Sequence, residues 1–257
     1  MNNENRIAVL IDAENVSSKY IKLIMDEVSD YGIATYKRLY GDFTLPSVQT
    51  WINKLQEYAI TPVFQFNYTQ GKNASDSALI IDAMDILYSE NVNGFCLVTS
   101  DSDFTKLAMR LRESGMTIIG MGERKTPNSL VSACETFKFL DVLYKSDEEV
   151  LKKKMEADIE ADTEEIVETE IEVSNIPSRD DIEKKIISII ESKAGDDGWT
   201  NLSEIGTNLT KRVPGFDPRN YKCQKLKQLI ESFESIETKS VKNPHNNILK
   251  IVYVKVK

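Results

Sequence analysis

The sequence predicts an α/β chain: a parallel sheet with helices on both faces, then a small α+β domain. Three observations carry this. Short continuous apolar runs recur through the first half, as expected of strands buried on both faces. Segments of helical period separate them. After about residue 178 the pattern becomes helices followed by a strand pair.

The elements follow in order. Arg6–Ile11 is a buried strand, and a helix follows with Tyr20, Ile21, Ile24 and Val28 on one side, ending near Gly32. Ala34–Tyr40 is a strand, Val48–Tyr58 a helix and Pro62–Asn67 a short strand. Ser75–Tyr88 is a strongly apolar helix. Phe95–Thr99 is a strand, Phe104–Arg112 a helix closed by Gly115, and Thr117–Met121 a strand. The alternation gives a Rossmann-like sandwich over residues 1–145.

Residues 146–177 read as an acidic linker. They hold 3 Lys+Arg against 12 Asp+Glu and no aromatic residue, so they bury little apolar surface. Val150, Leu151, Met155 and Ile159 fall near helical spacing, so partial helicity is expected. Residues 178–257 then give helices at Asp180–Ser192, Leu202–Val213 and Arg219–Phe233. Asp217 and Pro218 form a cap and first-turn pair for the third. Ser235–Lys239, the turn NPHNN and Leu249–Val256 complete a winged-helix plan.

Composition narrows the chemistry. No run of about twenty apolar residues spans a membrane. The N-terminus lacks the features of a signal peptide, so a cytoplasmic location is expected. Cys96, Cys134 and Cys223 are odd in number and far apart, which argues against a disulfide framework. His245 is the single histidine, which removes histidine-based zinc sites and leaves at most one base for a serine triad. It sits in the turn NPHNN, where an exposed turn residue is expected. Metal chemistry here would need oxygen ligands, and hence magnesium or manganese. The net charge of −9 is uneven: residues 1–145 carry −4, 146–177 carry −9 and 178–257 carry +4. The acidic total therefore does not exclude an anionic partner for the last segment.

Carboxylates stand at strand ends. Asp12 closes the run IAVLID, and Asp101 follows FCLVTS with Asp103 two residues on. Asp76 opens the long apolar helix. In open α/β sheets, ligands bind beyond the carboxyl ends of strands where the strand order reverses. Carboxylates converging there stay ionised only beside a cation, and such a cation can turn bound water into a nucleophile. The plainer reading makes each acid a helix cap. Asp42 could extend the same rim. Asp82 interrupts ALIIDAMDIL and needs a partner or a polar exit, while Asp85 reads as solvent-facing.

IDAENV, KNASDSALIIDAMDIL, LVTSDSDFTKLAMRLRESG, TIIGMGE and LVSACETFKFL, in that order, resemble the NYN domain of the LabA/DUF88 group, within the PIN-like nucleases. The resemblance covers about residues 5–143. It implies a PIN-like α/β sandwich and cleavage of RNA with Mg2+ or Mn2+. Its acidic positions match Asp12, Asp76, Asp101 and Asp103, and its early asparagine matches Asn15. Ser100 and Lys72 stand inside the same motifs and join Asn15 as candidate substrate contacts. Residues 180–257, carried by DDGWTNLSEIGTNLTKRVPGFDPRNYKCQKLKQLIESF and IVYVKV, resemble a LOTUS (OST-HTH) domain. This implies RNA binding, or in some relatives a protein partner.

On the third helix, Cys223, Leu226, Ile230 and Phe233 make the expected buried stripe. Tyr221, Gln224, Lys225 and Gln228 fall opposite, and Tyr221 with Lys225 are the candidate RNA contacts. Trp199 reads as a core or hinge residue. The leading expectation is a metal-dependent ribonuclease whose C-terminal module recruits RNA. A non-catalytic RNA-binding adaptor is the alternative, and homo-oligomerisation stays open. A phosphatase would want DxD after the first strand, where this chain has DAE. No Walker A motif or GxGxxG is present.

Overall fold

The computed structural model describes residues 5–65, 74–146, 176–195, 198–243 and 246–257. The acidic linker from 147 to 175, Lys72 and His245 lie outside the described residues. The chain divides into two compact units, Met1–Asn175 and Ile176–Lys257.

The first unit is an open parallel sheet. Its strands are β1 (Arg6–Asp12), β2 (Ile33–Gly41), β3 (Thr61–Phe64), β4 (Gly94–Val98), β5 (Thr117–Gly122) and β6 (Thr136–Phe139). Their spatial order is β3-β2-β1-β4-β5-β6, and every neighbouring pair is parallel. The helices are α1 (Ile21–Ser29), α2 (Pro46–Gln49), α3 (Ile52–Glu57), α4 (Ala74–Tyr88), α5 (Thr105–Glu113) and α6 (Asn128–Ala133), with α7 over 140–146.

β1 shows why the sheet is covered on both sides. Ile7, Val9 and Ile11 pack with Tyr20, Ile21, Ile24, Val28, Leu140 and Leu143. Ala8 and Leu10 point the other way by strand alternation and are equally inaccessible. α4 packs on β1 and β2, with Leu79, Ala83 and Ile86 buried. Burying a branched aliphatic side chain contributes about 1.5–3 kcal/mol, so this doubly covered strand anchors the fold. α5 ends as its sequence predicts. Gly115 takes φ +82°, and the Met116 amide donates to the Leu111 carbonyl.

Two expectations need correction here. TFKF forms the sixth strand, where none was expected. The expected helix Val48–Tyr58 is split between α2 and α3. Trp51 lies at the break, fully buried, and its indole N–H donates to the Val16 carbonyl at 3.2 Å.

The second unit contains α8 (Arg179–Lys193), β7 (Thr200–Asn201), α9 (Leu202–Arg212), a 3₁₀ turn at Pro218–Tyr221, α10 (Leu226–Glu231), β8 (Ile236–Asn243) and β9 (Asn246–Val256). The strands form an antiparallel sheet of order β7-β9-β8. Ile182, Ile186, Ile189 and Ile190 of α8 pack with Ile205, Leu209, Leu229, Ile230 and Val254. The expected third helix, Arg219–Phe233, is not continuous. Lys222 adopts φ +60°, a left-handed conformation that ends the 3₁₀ turn, and the helix restarts at Leu226. Asp217 caps the turn by accepting the Arg219 amide at 2.9 Å, as the Asp-Pro pair predicts.

Candidate metal centre

The strand order places the site. β2 lies on one side of β1 and β4 on the other, so the order reverses between β1 and β4. A crevice opens beyond the carboxyl ends of that pair. Asp12 is the last residue of β1, and Asp101 follows β4. The two stand at neighbouring strand ends, since Ile11 pairs with Val98. Buried polar residues gather around these ends, among them Asp12, Ser75, Thr99 and Ser100. Burying polar groups is costly unless they are hydrogen-bonded, and each partner here is identifiable for Asp12 and Thr99.

Asp12 is 2% exposed, and both of its oxygens are engaged. One accepts the backbone N–H groups of Glu14 and Asn15 at 3.1 and 3.3 Å. The other accepts the Asn15 amide and the Thr99 hydroxyl, each at 2.8 Å. Burial pushes the Asp12 carboxyl upward, and these four bonds pull in the opposite direction. The Thr99 oxygen in turn accepts the Asp101 amide at 3.1 Å. One hydroxyl thus ties the end of β1 to the loop after β4.

Asp101 caps the short 3₁₀ turn Ser102–Phe104, accepting the Asp103 amide at 2.9 Å. Asp76 stands in the first turn of α4. Asp76, Asp101 and Asp103 each offer a carboxylate oxygen, and these oxygens lie within 4.8 Å of one another. The cap and ligand readings of Asp101 are therefore compatible: the carboxylate that caps the turn also joins the acidic cluster. Burial first, and then the charges of Asp12, Asp101, Glu14 and Asp103, push the Asp76 carboxyl up to about 6. The field at Asp76 is strongly negative. Three carboxylate oxygens this close are hard donors that fit a divalent cation.

The remaining candidates fall as follows. Asn15 is exposed and its amide nitrogen is tied to Asp12. Ser100 is buried, and its hydroxyl oxygen accepts the Glu123 amide at 2.9 Å. Asp42 does not extend the rim as a bare acid. It holds its own loop, accepting the Thr44 amide and hydroxyl at 2.9 and 2.6 Å. Asp82 finds the partner its burial demands: it is ion-paired to Arg38 and accepts the Tyr40 hydroxyl. Burial, followed by that bond, holds the Tyr40 phenol well above its ordinary range. Asp82 is thus a structural acid.

Sequence reasoning passed over Thr99 and Glu14. Thr99 had a signal, being a hydroxyl at the end of the apolar run FCLV and two residues before Asp101. Glu14 adds to the field at Asp76, and its carboxylate accepts the Asp42 amide at 3.1 Å. Gly122 fits the same crowded floor. A Cβ there would lie 2.6 Å from the Thr99 carbonyl oxygen and 3.0 Å from the Ser100 hydroxyl.

In the second unit, Tyr221 and Lys225 do not share a helix face. The Tyr221 hydroxyl donates to the Pro177 carbonyl at 2.9 Å, and its ring stacks on Phe216 at 6.1 Å between centroids. Lys225 is exposed and precedes α10. Trp199 lies outside the buried core of its unit, contrary to the core reading, and carries Lys239 over its ring at 3.9 Å.

The family model of the NYN domain matches residues 6–141, and that of the OST-HTH/LOTUS domain matches residues 179–248. An uncharacterized protein of Methanocaldococcus jannaschii is 28% identical over 123 residues, 46% of this chain and 48% of that protein. The chain thus spans about half the length of this curated relative. A crystal structure of a protein of unknown function from Vibrio parahaemolyticus covers 53% of this chain and 93% of its own, with 18% identity and a TM-score of 0.45. No helix among the described residues is long and apolar enough to cross a membrane. With its acids at the switch point and its two domains in this order, the chain belongs to the NYN domain family, a nuclease-type family, and carries an OST-HTH/LOTUS domain behind it.

Proposed function

We propose that this protein is a divalent-metal-dependent ribonuclease that hydrolyses RNA phosphodiesters. The single observation that carries the reading is the cluster of Asp76, Asp101 and Asp103, whose oxygens lie within 4.8 Å while Asp76 is driven up to about 6. Those three acids hold the Mg2+ or Mn2+. Asp12, buried and hydrogen-bonded four times, supplies the fourth negative charge and anchors Thr99 beneath them. Such an ion lowers the pKa of bound water and stabilises charge on the phosphodiester oxygens.

The chain's own residues do the rest. Thr99 and the Asp101 cap fix the acidic loop, so the carboxylates need not reorganise when the ion enters. Asn15, exposed beside Asp12, is the candidate substrate contact; Ser100, buried next to Asp101, is a second candidate, and Lys72 is a third outside the described residues. The second domain, net +4 over residues 178–257, recruits the polyanion. The domains run over 1–145 and 178–257, joined by the acidic segment.

The test is cleavage of a labelled RNA with manganese by wild type and Asp101→Asn. This variant removes a ligand charge and keeps the side-chain shape, so cleavage falls to background while the fold holds. Wild-type cleavage rates in Asp101→Asn would remove the crevice as the active site. An inactive wild type that still binds RNA would point to an adaptor.

A further inference from the structure

The net positive charge of the second unit is concentrated at its C-terminal end. Residues 178–235 hold 10 Lys+Arg and 10 Asp+Glu, whereas 236–257 hold five lysines and one glutamate. The whole +4 therefore sits in the β8–β9 hairpin and Lys257, the residue after it. That hairpin has an inner and an outer face. Val254 is fully buried and pairs with Thr200, which is 2% exposed, so this side meets the helices. Tyr253 is on the opposite side, paired with Asn201 on β7 and Lys239 on β8. Trp199, two residues before Asn201, falls on the same side by strand alternation.

The side chains there form a cation–aromatic cluster. The Lys239 ammonium lies 3.9 Å from the Trp199 ring centroid and 5.8 Å from that of Tyr253. The Lys255 ammonium lies 6.0 Å from Trp199. Both rings are half-buried, so each is held in place and still reachable. An exposed ammonium–ring contact is weaker than a base stacked on an aromatic ring. A base can therefore take the ring face while the lysine turns to a neighbouring phosphate. The site first expected at the third helix lacks this chemistry, because Tyr221 is spent on Pro177 and Phe216.

We propose that the outer face of the β7-β9-β8 sheet, built on Trp199, Tyr253, Lys239 and Lys255, binds single-stranded RNA by stacking bases on the two rings. This deepens, and rests on, the reading that the second domain recruits RNA. Duplex RNA hides its base faces, so the surface discriminates by strandedness rather than by sequence.

The experiment uses the full chain in EDTA, which blocks cleavage, with a fluorescein-labelled 12-nucleotide oligouridine and a 12-base-pair RNA duplex. Wild type binds the oligouridine more tightly than the duplex. Trp199→Ala weakens oligouridine binding about fivefold or more, while Trp199→Phe keeps it within roughly threefold because a ring remains. Changing both Lys239 and Lys255 to Gln lowers the slope of log affinity against log salt by about 1.4. Lys184→Ala, an exposed change on α8, alters little. Oligouridine also quenches tryptophan emission, and Trp199→Phe abolishes that quench, since the only other tryptophan, Trp51, is fully buried. Equal affinity for duplex and single strand, or unchanged binding in Trp199→Ala, overturns the proposal. Loss confined to Lys225→Ala would do the same and return recruitment to the helix. An RNA-inert wild type overturns the recruitment reading along with it.

Discussion

Replacing Asp76 with asparagine tests the acidic centre through stability, without any assay of cleavage. Asp76 is pushed from 3.8 to about 6, by burial and by the charges of Asp12, Asp101, Glu14 and Asp103. The folded state thus binds its proton more tightly than the unfolded chain. Metal-free stability accordingly falls as pH rises from about 4 to about 6 and stays lower above that. The full shift corresponds to about 3 kcal/mol. Asp76 is only partly buried, so solvent screening cuts this to about 2 kcal/mol. Its place in the first turn of α4 opposes the effect, since a carboxylate there gains about 0.3–1 kcal/mol from the helix dipole. Repulsion still wins by about 1 kcal/mol. In EDTA at pH 7.5, Asp76→Asn should therefore melt about 2–4 °C higher than wild type. At pH 4 the difference should vanish. Manganese should raise the melting temperature of wild type, by about 2.7 kcal/mol in free-energy terms at a hundred times its dissociation constant, and should barely move the variant. Scanning calorimetry with and without manganese reads all of this. A variant that melts lower than wild type at pH 7.5, and still responds fully to manganese, would refute the reasoning.

Other outcomes follow from the same structure. Thr99→Val removes a hydroxyl that donates to Asp12 and accepts from Asp101; it should cost about 1–3 kcal/mol in urea unfolding and weaken the manganese-induced shift. Asp82→Asn breaks the ion pair with Arg38 and should lower the melting temperature while leaving the manganese shift intact, which separates the structural acid from the cluster. Lys138→Ala removes the ammonium 3.2 Å from the buried Glu27 carboxylate and should destabilise the first unit, by up to about 3–5 kcal/mol, measured by denaturant titration. Gly122→Ala places a methyl group against Thr99 and Ser100, so its RNA cleavage should fall more than its melting temperature alone explains.

The sheet was legible because parallel strands are buried on both faces and read as unbroken apolar runs, as in IAVLI and FCLV. Asp12 and Asp101 were legible for the same reason: each brings a charge in just beyond the end of such an apolar run. β6 was missed because its four residues, TFKF, are too few to show a period. The break in the third helix was missed because Lys222 takes its left-handed conformation in RNYKCQK, where no glycine or proline announces it. The Arg38–Asp82 pair joins positions 44 residues apart, and local pattern carries no trace of it. The face bearing Trp199 was hidden because its orientation follows from pairing with β9, and β7 itself is two residues long.

The switch point also bears on how the chain comes to be made. Its acids arrive from three separate stretches: Asp12 after the first strand, Asp76 at the head of α4, and Asp101 with Asp103 beyond the fourth. A growing chain that stops before β4 holds two of these four carboxylates and has no neighbour for β1 on that side. It can gather neither the charge nor the fixed loop that a divalent ion requires. Emergence of the segment around Asp101 then brings together like charges that had been far apart, and an ion present at that moment relieves their repulsion. The centre is thereby inert until the chain has grown past Asp103, and competence arrives with the strand that completes the crevice.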